Sequence, residues 1–333
     1  MSGRHTFARI IVRWPNWLGD TLMARGFLSS LRAAGPQVRI AAIAPAPFLA
    51  LLASDGAFDE AWARDDAALD ARARAFRPDA TFVLPPSFSS AWFAMRSGAP
   101  VRVGFRGDWR GALLTHAISR PMRGELHLAR EYQSLGEPFG LRAVPFAPLR
   151  PVASAGDAAA AAVVRGAVVL APGAAYGPAK RWPAERYVAV GQRARSQGWP
   201  VAVCGASEDA ELADAIAGAI GDGAVALAGR TSLQGIAAAL RDARVVLSND
   251  SGFAHLAAAV GAPTVTVFGS TSSAWTAPLG AARILQHPPV CSPCFQRNCA
   301  IGYLCLHAVS IDEAWQAVVE SASERGAMTM ETR

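Results

Sequence analysis

Short apolar runs alternate with longer stretches of helical spacing along nearly the whole chain. Residues 8–14 form an apolar run of strand length, and Leu22, Met23, Phe27, Leu28 and Leu31 then mark one face of a helix that stops at Gly35-Pro36. Residues 38–44, 81–84 and 101–105 repeat the strand signal, with a helix expected over 89–95. The series resumes in the second half, with strands expected at 167–170, 201–204, 224–227, 245–247 and 264–268. Apolar runs without polar alternation are what a parallel strand requires when helices cover both its faces. The pattern therefore predicts an α/β protein with two doubly wound sheets in succession and a cleft between their edges. Pro145, Pro148, Pro151 and the alanine-rich 153–162 interrupt the series. They set the expected domains at 1–152 and 153–333.

Length and composition agree with two domains: 333 residues, 52% of them apolar, can fill two cores. No apolar run reaches the length of a membrane span, since the best candidate, 40–53, is broken by Pro45 and Pro47. The first residues lack the apolar core of a signal peptide, so a cytoplasmic protein is expected. Charge is uneven. Residues 1–150 hold 19 arginines against 12 acidic residues, a net of +7, whereas residues 151–333 come to −1. A basic half calls for an anionic partner or is a solvated surface. There is a single lysine, Lys180, in a chain that otherwise uses arginine. A compact ammonium and a planar guanidinium do different work, so the exception asks for a local reason.

Four stretches carry candidate chemistry. Residues 244–270, RVVLSNDSGFAHLAAAVGAPTVTVFGS, read as strand, polar loop, helix and strand. Asp250 and Ser251 stand where a helix N-terminus offers free N–H groups, which suits either a simple cap or a bound phosphate. The loop 171–187, APGAAYGPAKRWPAERY, is flexible, places Lys180 near a helix start at Pro183, and lacks the GxxxxGK[ST] pattern. The first loop, WPNWLGD, lacks the GxGxxG glycines of a dinucleotide site and presents the carboxylate of Asp20 instead. Arg102, Arg106 and Arg110 are four apart and would share one side if their stretch were helical. His255, one turn after Ser251, is either a ligand contact or a satisfied core histidine. Cys204 closes a strand. Cys291, Cys294, Cys299 and Cys305 have the spacing C-x2-C-x4-C-x5-C, open to two readings: free or redox-active thiols, or a structural metal site.

The segments RWPNWLGDTLMARGFL, LPPSFSSAW, GFRGDWRGALL, APGAAYGPAKRWP and SNDSGFAHLAAAVGAPTVTVFGSTSSAWTAPL, in this order, resemble the bacterial ADP-heptose:lipopolysaccharide heptosyltransferases of glycosyltransferase family nine. The tryptophan before the first Gly-Asp, the GPAKRWP loop and the GxRGxxR stretch are most similar to the type II branch. The resemblance implies a GT-B fold, with an N-terminal acceptor domain and a C-terminal donor domain. It implies inverting transfer of heptose from ADP-L-glycero-D-manno-heptose to the first heptose on Kdo-lipid A, with no cofactor. Acceptors of type I or III, or another nucleotide sugar on the same fold, are the alternatives. By motif position, Asp20 resembles the general base and Lys180 the phosphate-contacting lysine. Glu208, Asp250, Ser251, Gly252, His255, Gly269, Ser270 and Thr271 fall in donor-binding positions, with Glu211 competing with Glu208 for the ribose. Asn16, Trp17, Arg102, Arg106 and Arg110 are the acceptor-binding candidates. The implied setting is the cytoplasmic face of the inner membrane, held peripherally on its anionic surface, with no role for nucleic acid. A solute-binding protein would carry a signal peptide, and a Rossmann oxidoreductase would carry the dinucleotide glycines.

Overall fold

The computed structural model describes residues 7–331 apart from 108, 145, 146 and 153, with side chains described as far as residue 324. Pro145 and Ala153, two of the linker markers, lie outside the described residues. The chain divides into two compact units, Met1–Ala147 and Pro148–Arg333, which assigns residues 148–152 to the second unit.

The first unit is built on β1 (Arg9–Arg13), β2 (Arg39–Ala44), β3 (Glu60–Ala63), β4 (Ala80–Val83), β5 (Val101–Phe105) and β6 (His116–Ile118). Every pairing is parallel, in the order β3-β2-β1-β4-β5-β6. The second unit holds β7 (Val168–Ala171), β8 (Val201–Val203), β9 (Ala224–Ala226), β10 (Val245–Asn249), β11 (Thr264–Val267) and β12 (Ala282–Leu285). Its order, β12-β11-β10-β7-β8-β9, is the same topology with all strands parallel. Consecutive residues of β4, β7, β10 and β11 are all buried, so both faces of the sheet centre are covered. This is why those strands read as unbroken apolar runs.

Three strands escape the apolar pattern. β3, β6 and β12 lie at sheet edges, are only partly buried and carry charged or polar residues. The helix expected after β1 is two helices, Leu18–Met23 and Arg25–Ala34, separated at Ala24. Arg25, buried at the start of the second, is fixed by a two-pronged pair with Asp55 at 2.6 and 2.7 Å.

The core of the first unit includes an aromatic cluster around Phe82, whose ring centroid lies 5.3 Å from Phe27, 5.6 Å from Phe139 and 6.4 Å from Phe7. In the second unit Trp182 and Tyr187 meet edge to face at 5.1 Å, within a cluster that includes Leu170, Leu247 and Val267. Phe82 is fully buried. Phe82→Ala should cost about 3–5 kcal/mol, the transfer loss plus the cavity left between three rings. Urea unfolding followed by tryptophan fluorescence checks this.

Candidate active site

In each sheet the strand order reverses once, between β1 and β4 in the first and between β7 and β10 in the second. Loops leaving neighbouring strands at such a reversal diverge, and the crevice outside the carboxyl ends is where open α/β sheets take ligands.

At the second reversal, the loop after β7 is held by one side chain. Asn249, the last residue of β10, is fully buried. Its Nδ2 donates to the Pro172 carbonyl at 2.6 Å, and its Oδ1 accepts from the Trp182 N–H at 2.9 Å. A carbonyl can only accept and an amide N–H only donate, so the orientation of this amide is unambiguous. The Tyr187 hydroxyl also donates to Oδ1 at 2.9 Å. Burial pushes the Tyr187 phenol well above its usual range, which keeps it a donor. The loop between Pro172 and Trp182 is therefore clamped at both ends.

Within that loop, Lys180 pairs with Asp250 across the reversal, Nζ to Oδ2 at 2.5 Å. The same oxygen accepts from Thr271 Oγ1 at 2.5 Å. Thr271 is held in turn, because its carbonyl accepts from Gln286 Nε2 at 2.9 Å. Asp250 is thus not the helix cap. Ser251 is, with its Oγ accepting from the Phe253 N–H at 3.3 Å at the head of the helix Gly252–Ala259. His255 is buried within that helix. Gly269 follows β11, where a Cβ would lie 2.6 Å from the Ala179 carbonyl and 2.7 Å from Leu306. The lack of a side chain lets the β11 loop close on the Lys180 loop, and Ser270 N–H donates to Ala179 O at 3.2 Å. Ser270 Oγ is buried with no hydrogen-bond partner among the described residues. Lys180, Asp250, Ser251, Gly252, Ser270 and Thr271 are therefore brought together. A cation, a helix N-terminus and an unsatisfied hydroxyl at one edge make an arrangement for an anion.

Glu208 and Glu211 are both exposed, in the turn Ser207–Asp209 and the helix Ala210–Ile220. Among the described residues neither makes a hydrogen bond or ion pair with Lys180 or Asp250. The neighbouring Asp209 was not expected here, and it lies against two loop glycines. Its Oδ2 would be 2.1 Å from a Cβ at Gly173 and 2.9 Å from one at Gly205. The available signal was a glycine shortly after each of two adjacent strands, β7 and β8.

The cysteine segment is bound to the lysine loop. Tyr176 Oη donates to Phe295 O at 2.5 Å, Arg297 Nε donates to Tyr176 O at 2.7 Å, and Ala179 N–H donates to Arg297 O at 3.1 Å. Lys180 Nζ and the Arg297 guanidinium stand 5.0 and 5.5 Å from the Tyr176 ring centroid. All five cysteines are free thiols. Among the described residues no group of three or more His, Cys, Asp or Glu side chains is arranged to hold a metal ion, and this includes Cys291, Cys294, Cys299 and Cys305. Burial pushes Cys305 up and takes Cys204 to about 12, so neither is a ready nucleophile.

At the first reversal, Asn16 and Trp17 are exposed after β1, and Asp20 sits in the first turn of Leu18–Met23 without being its cap. Asp20 is half-buried beside Tyr132, whose phenol is held well above its usual range by burial and by the Asp20 charge. The three arginines do not share a helix face. Arg102 lies in β5 and donates to the carbonyls of Ala99 and Leu113, both at 2.9 Å. Arg106 is exposed in the next loop, and Arg110 is fully buried with Nη2 donating to Ser90 Oγ at 3.0 Å. Gly107 and Trp109, at φ 154° and 59°, break the helical run between them.

The family model for glycosyltransferase family 9 (heptosyltransferase) matches residues 68–304. The chain belongs to glycosyltransferase family 9. The match covers every residue of the Lys180–Asp250 cluster and leaves Asp20 outside it. Among curated relatives, this family 9 chain is 29% identical to lipopolysaccharide heptosyltransferase 2 of Salmonella typhimurium, over 84% of its length and 88% of the relative's. It is 28% identical to lipooligosaccharide heptosyltransferase 2 of Haemophilus influenzae, over 81% and 86%. A solved ADP-heptose LPS heptosyltransferase II from E. coli superposes with a TM-score of 0.81 at 26% identity, covering 96% of this chain and 99% of that one. A family 9 glycosyltransferase from Veillonella parvula gives 0.83 at 20% identity, over 96% and 99%.

The amide clamp makes a specific prediction. Asn249→Ala strands a carbonyl, an N–H and a phenol in a dry setting, each costing about 1–3 kcal/mol if left unsatisfied. Partial relaxation should leave a net loss of roughly 2–4 kcal/mol. Asn249→Asp should not restore stability, because a carboxylate cannot donate to Pro172 O. Thermal unfolding of the three proteins checks both.

Proposed function

We propose that this glycosyltransferase moves heptose from ADP-L-glycero-D-manno-heptose to the first heptose of the lipopolysaccharide inner core, with inversion at the anomeric carbon. The observation that carries the reading is the Lys180–Asp250–Thr271 cluster at the reversal point of the second sheet. A diphosphate needs this combination of a positioned cation and a helix N-terminus. The full-length relatives named heptosyltransferase 2 support the sugar and the acceptor.

In this reading the residues divide the work. Asp20, on the first unit, takes the proton from the attacking sugar hydroxyl as the new C–O bond forms. Bond breaking leaves charge on the β-phosphate of ADP. Lys180, the Gly252 N–H at the helix start and the Ser270 hydroxyl meet that charge as it grows. Asp250 acts through Lys180 by fixing its ammonium, as does Thr271 by fixing Asp250. Protein donors supply the charge that the leaving group needs, so the proposed chemistry calls on no cofactor. Acceptor contacts are assigned to Asn16, Trp17, Arg102 and Arg106. Arg110, fully buried, instead supports the loop that carries Arg106. We place the reaction at the cytoplasmic face of the inner membrane, where the lipid-anchored acceptor would be met.

The direct test is incubation with ADP-heptose and truncated acceptors carrying zero, one or two heptoses, read by mass spectrometry. Addition of one heptose to the one-heptose acceptor alone is expected. Transfer to the heptose-free acceptor would replace the type II reading by type I. Asp20→Asn should keep donor affinity and lose roughly 10²–10⁴-fold in kcat. Turnover near the wild-type rate would remove Asp20 from the mechanism. Lys180→Ala should raise the donor KM and lower kcat together, because the charge it meets grows in the transition state. Lys180→Arg should rescue only part of this, since a planar fork cannot occupy the position of the compact ammonium against Asp250. Steady-state kinetics with the donor varied would refute the assignment if the Ala variant behaved as wild type.

A further inference from the structure

The cysteines between residues 291 and 305 take no part in the chemistry proposed above, yet they sit on the segment that holds its loops in place. Cys291 is exposed, Cys294 and Cys299 are half-buried, Cys305 is buried, and all are free thiols. Residues 286–303 form neither helix nor strand, so no backbone ladder fixes their path. Side contacts fix it instead, and the stretch between Cys294 and Cys299 makes several of them. Phe295 N–H donates to the Ser270 carbonyl at 2.8 Å, and Phe295 O accepts from Tyr176 Oη. Arg297 Nε donates to Tyr176 O at 2.7 Å, and Arg297 O accepts from the Ala179 N–H at 3.1 Å. The two backbones come so close that a Cβ at Gly177 would lie 2.7 Å from Arg297 O. Ser270, and Lys180 next to Ala179, are both residues of the candidate site.

The thiols themselves are gathered. Tyr303 N–H donates to Cys299 Sγ at 3.3 Å, which brings that sulfur to the start of the short helix Leu304–His307, where Cys305 lies. Burial pushes the Cys305 thiol up, against its backbone hydrogen bonds, and charge on Cys299 or Cys294 pushes it the same way, so the three sulfurs share one neighbourhood. A buried thiol held protonated is a poor nucleophile, which leaves Cys294 and Cys299 as the reactive pair. Among the described residues these cysteines are not arranged to hold a metal ion. In a reducing compartment, such as the one proposed for this chain, a bridge between two thiols is transient and serves as a signal.

We propose that Cys294 and Cys299 close into a reversible disulfide that loosens the lysine loop and the Ser270 loop when the surrounding thiol pool turns oxidising. The oxidant is a small-molecule disulfide such as oxidised glutathione. One protein thiolate attacks a sulfur of that disulfide, breaks its S–S bond and expels one small thiolate. The second protein thiolate attacks the protein sulfur of the mixed disulfide, the protein S–S bond forms, and the other small thiolate leaves. Two protein thiols give up two protons and two electrons, and the reagent takes them up as two thiols.

The bridge demands Cβ atoms about 3.5–4.5 Å apart and one narrow range of dihedral angle. Cys299 Sγ must then turn away from the Tyr303 N–H, and residues 295–298 must follow. Phe295 and Arg297 lose their seats on Ser270, Tyr176 and Ala179, and the lysine loop loses its outer grip. That this weakens the hold on a nucleotide rests on the donor reading above; the bridge and the loosened loop do not.

The test equilibrates the full-length protein in glutathione buffers from reducing to oxidising. Tryptic mapping by mass spectrometry locates the bridge, since Arg297 lies between the two cysteines and cleavage there puts them on separate peptides. Amide hydrogen exchange follows residues 172–182, and calorimetry follows ADP binding. Oxidised wild type should show the two peptides joined, faster exchange in the loop, and ADP affinity lower by about tenfold, the worth of one or two of these hydrogen bonds. Dithiothreitol should reverse all of this. Cys294→Ser and Cys299→Ser should each keep the reduced behaviour in every buffer, whereas Cys204→Ser and Cys291→Ser should respond as wild type does. No bridge, a bridge between other cysteines, or joined peptides with unchanged loop exchange would overturn the proposal. So would a metal ion that the purified protein carries and Cys294→Ser loses, which would make these thiols ligands. If reduced wild type binds no ADP, the donor reading fails, and the mapping and exchange measurements still decide whether the bridge forms and frees the loop.

Discussion

Every strand in each sheet runs in the same direction, and that constraint determines where chemistry can occur. A parallel sheet sends all its strand-to-helix loops to one edge, so residues far apart in sequence collect there without any special device. Lys180, Asp250 and Thr271 follow β7, β10 and β11, three neighbours in the second sheet. The opposite edge, where helices return to strands, carries none of the proposed machinery. What the loops still need is a fixed position, and a single buried amide, Asn249, supplies it for the loop after β7.

The proposed donor machinery is built in layers, each held by the one beneath it. The buried strands β7, β10 and β11 form the base. Asn249 ties the ends of the lysine loop to that base, and the cysteine segment grips the loop from outside through Tyr176 and Arg297. Lys180 stands on this frame with its tip held by Asp250. This ordering is what a site needs when a charged group must be aimed.

The central strands were legible because burial on both faces leaves a plain record of consecutive apolar residues. The edge strands β3, β6 and β12 were not, because an uncovered strand can be as polar as a loop. Motifs located Lys180 and Asp250 individually but not their pairing, since the stretch between them carries no local trace of a contact made by sheet topology. Asn249 read as an ordinary turn residue, and its three buried bonds depend on groups contributed by two other segments. The arginine series failed for a different reason. Regular spacing implies a shared face only if the backbone is helical, and Gly107 and Trp109 take conformations that no helix allows.

The pairing of Lys180 with Asp250 also has a kinetic meaning. The ammonium and the carboxylate cancel, and residues 151–333 as a whole carry a net charge of −1. In the proposed reaction the charges of this unit itself add little long-range pull on an approaching nucleotide, and screening removes most of what remains beyond about 10 Å. For this unit the proposed capture would then depend on contact, when phosphate oxygens come close enough to share Lys180 with Asp250. In the proposed reaction the same neutrality favours departure: once the sugar is gone, Asp250 would reclaim the lysine and the spent nucleotide would leave without having to escape an electrostatic well.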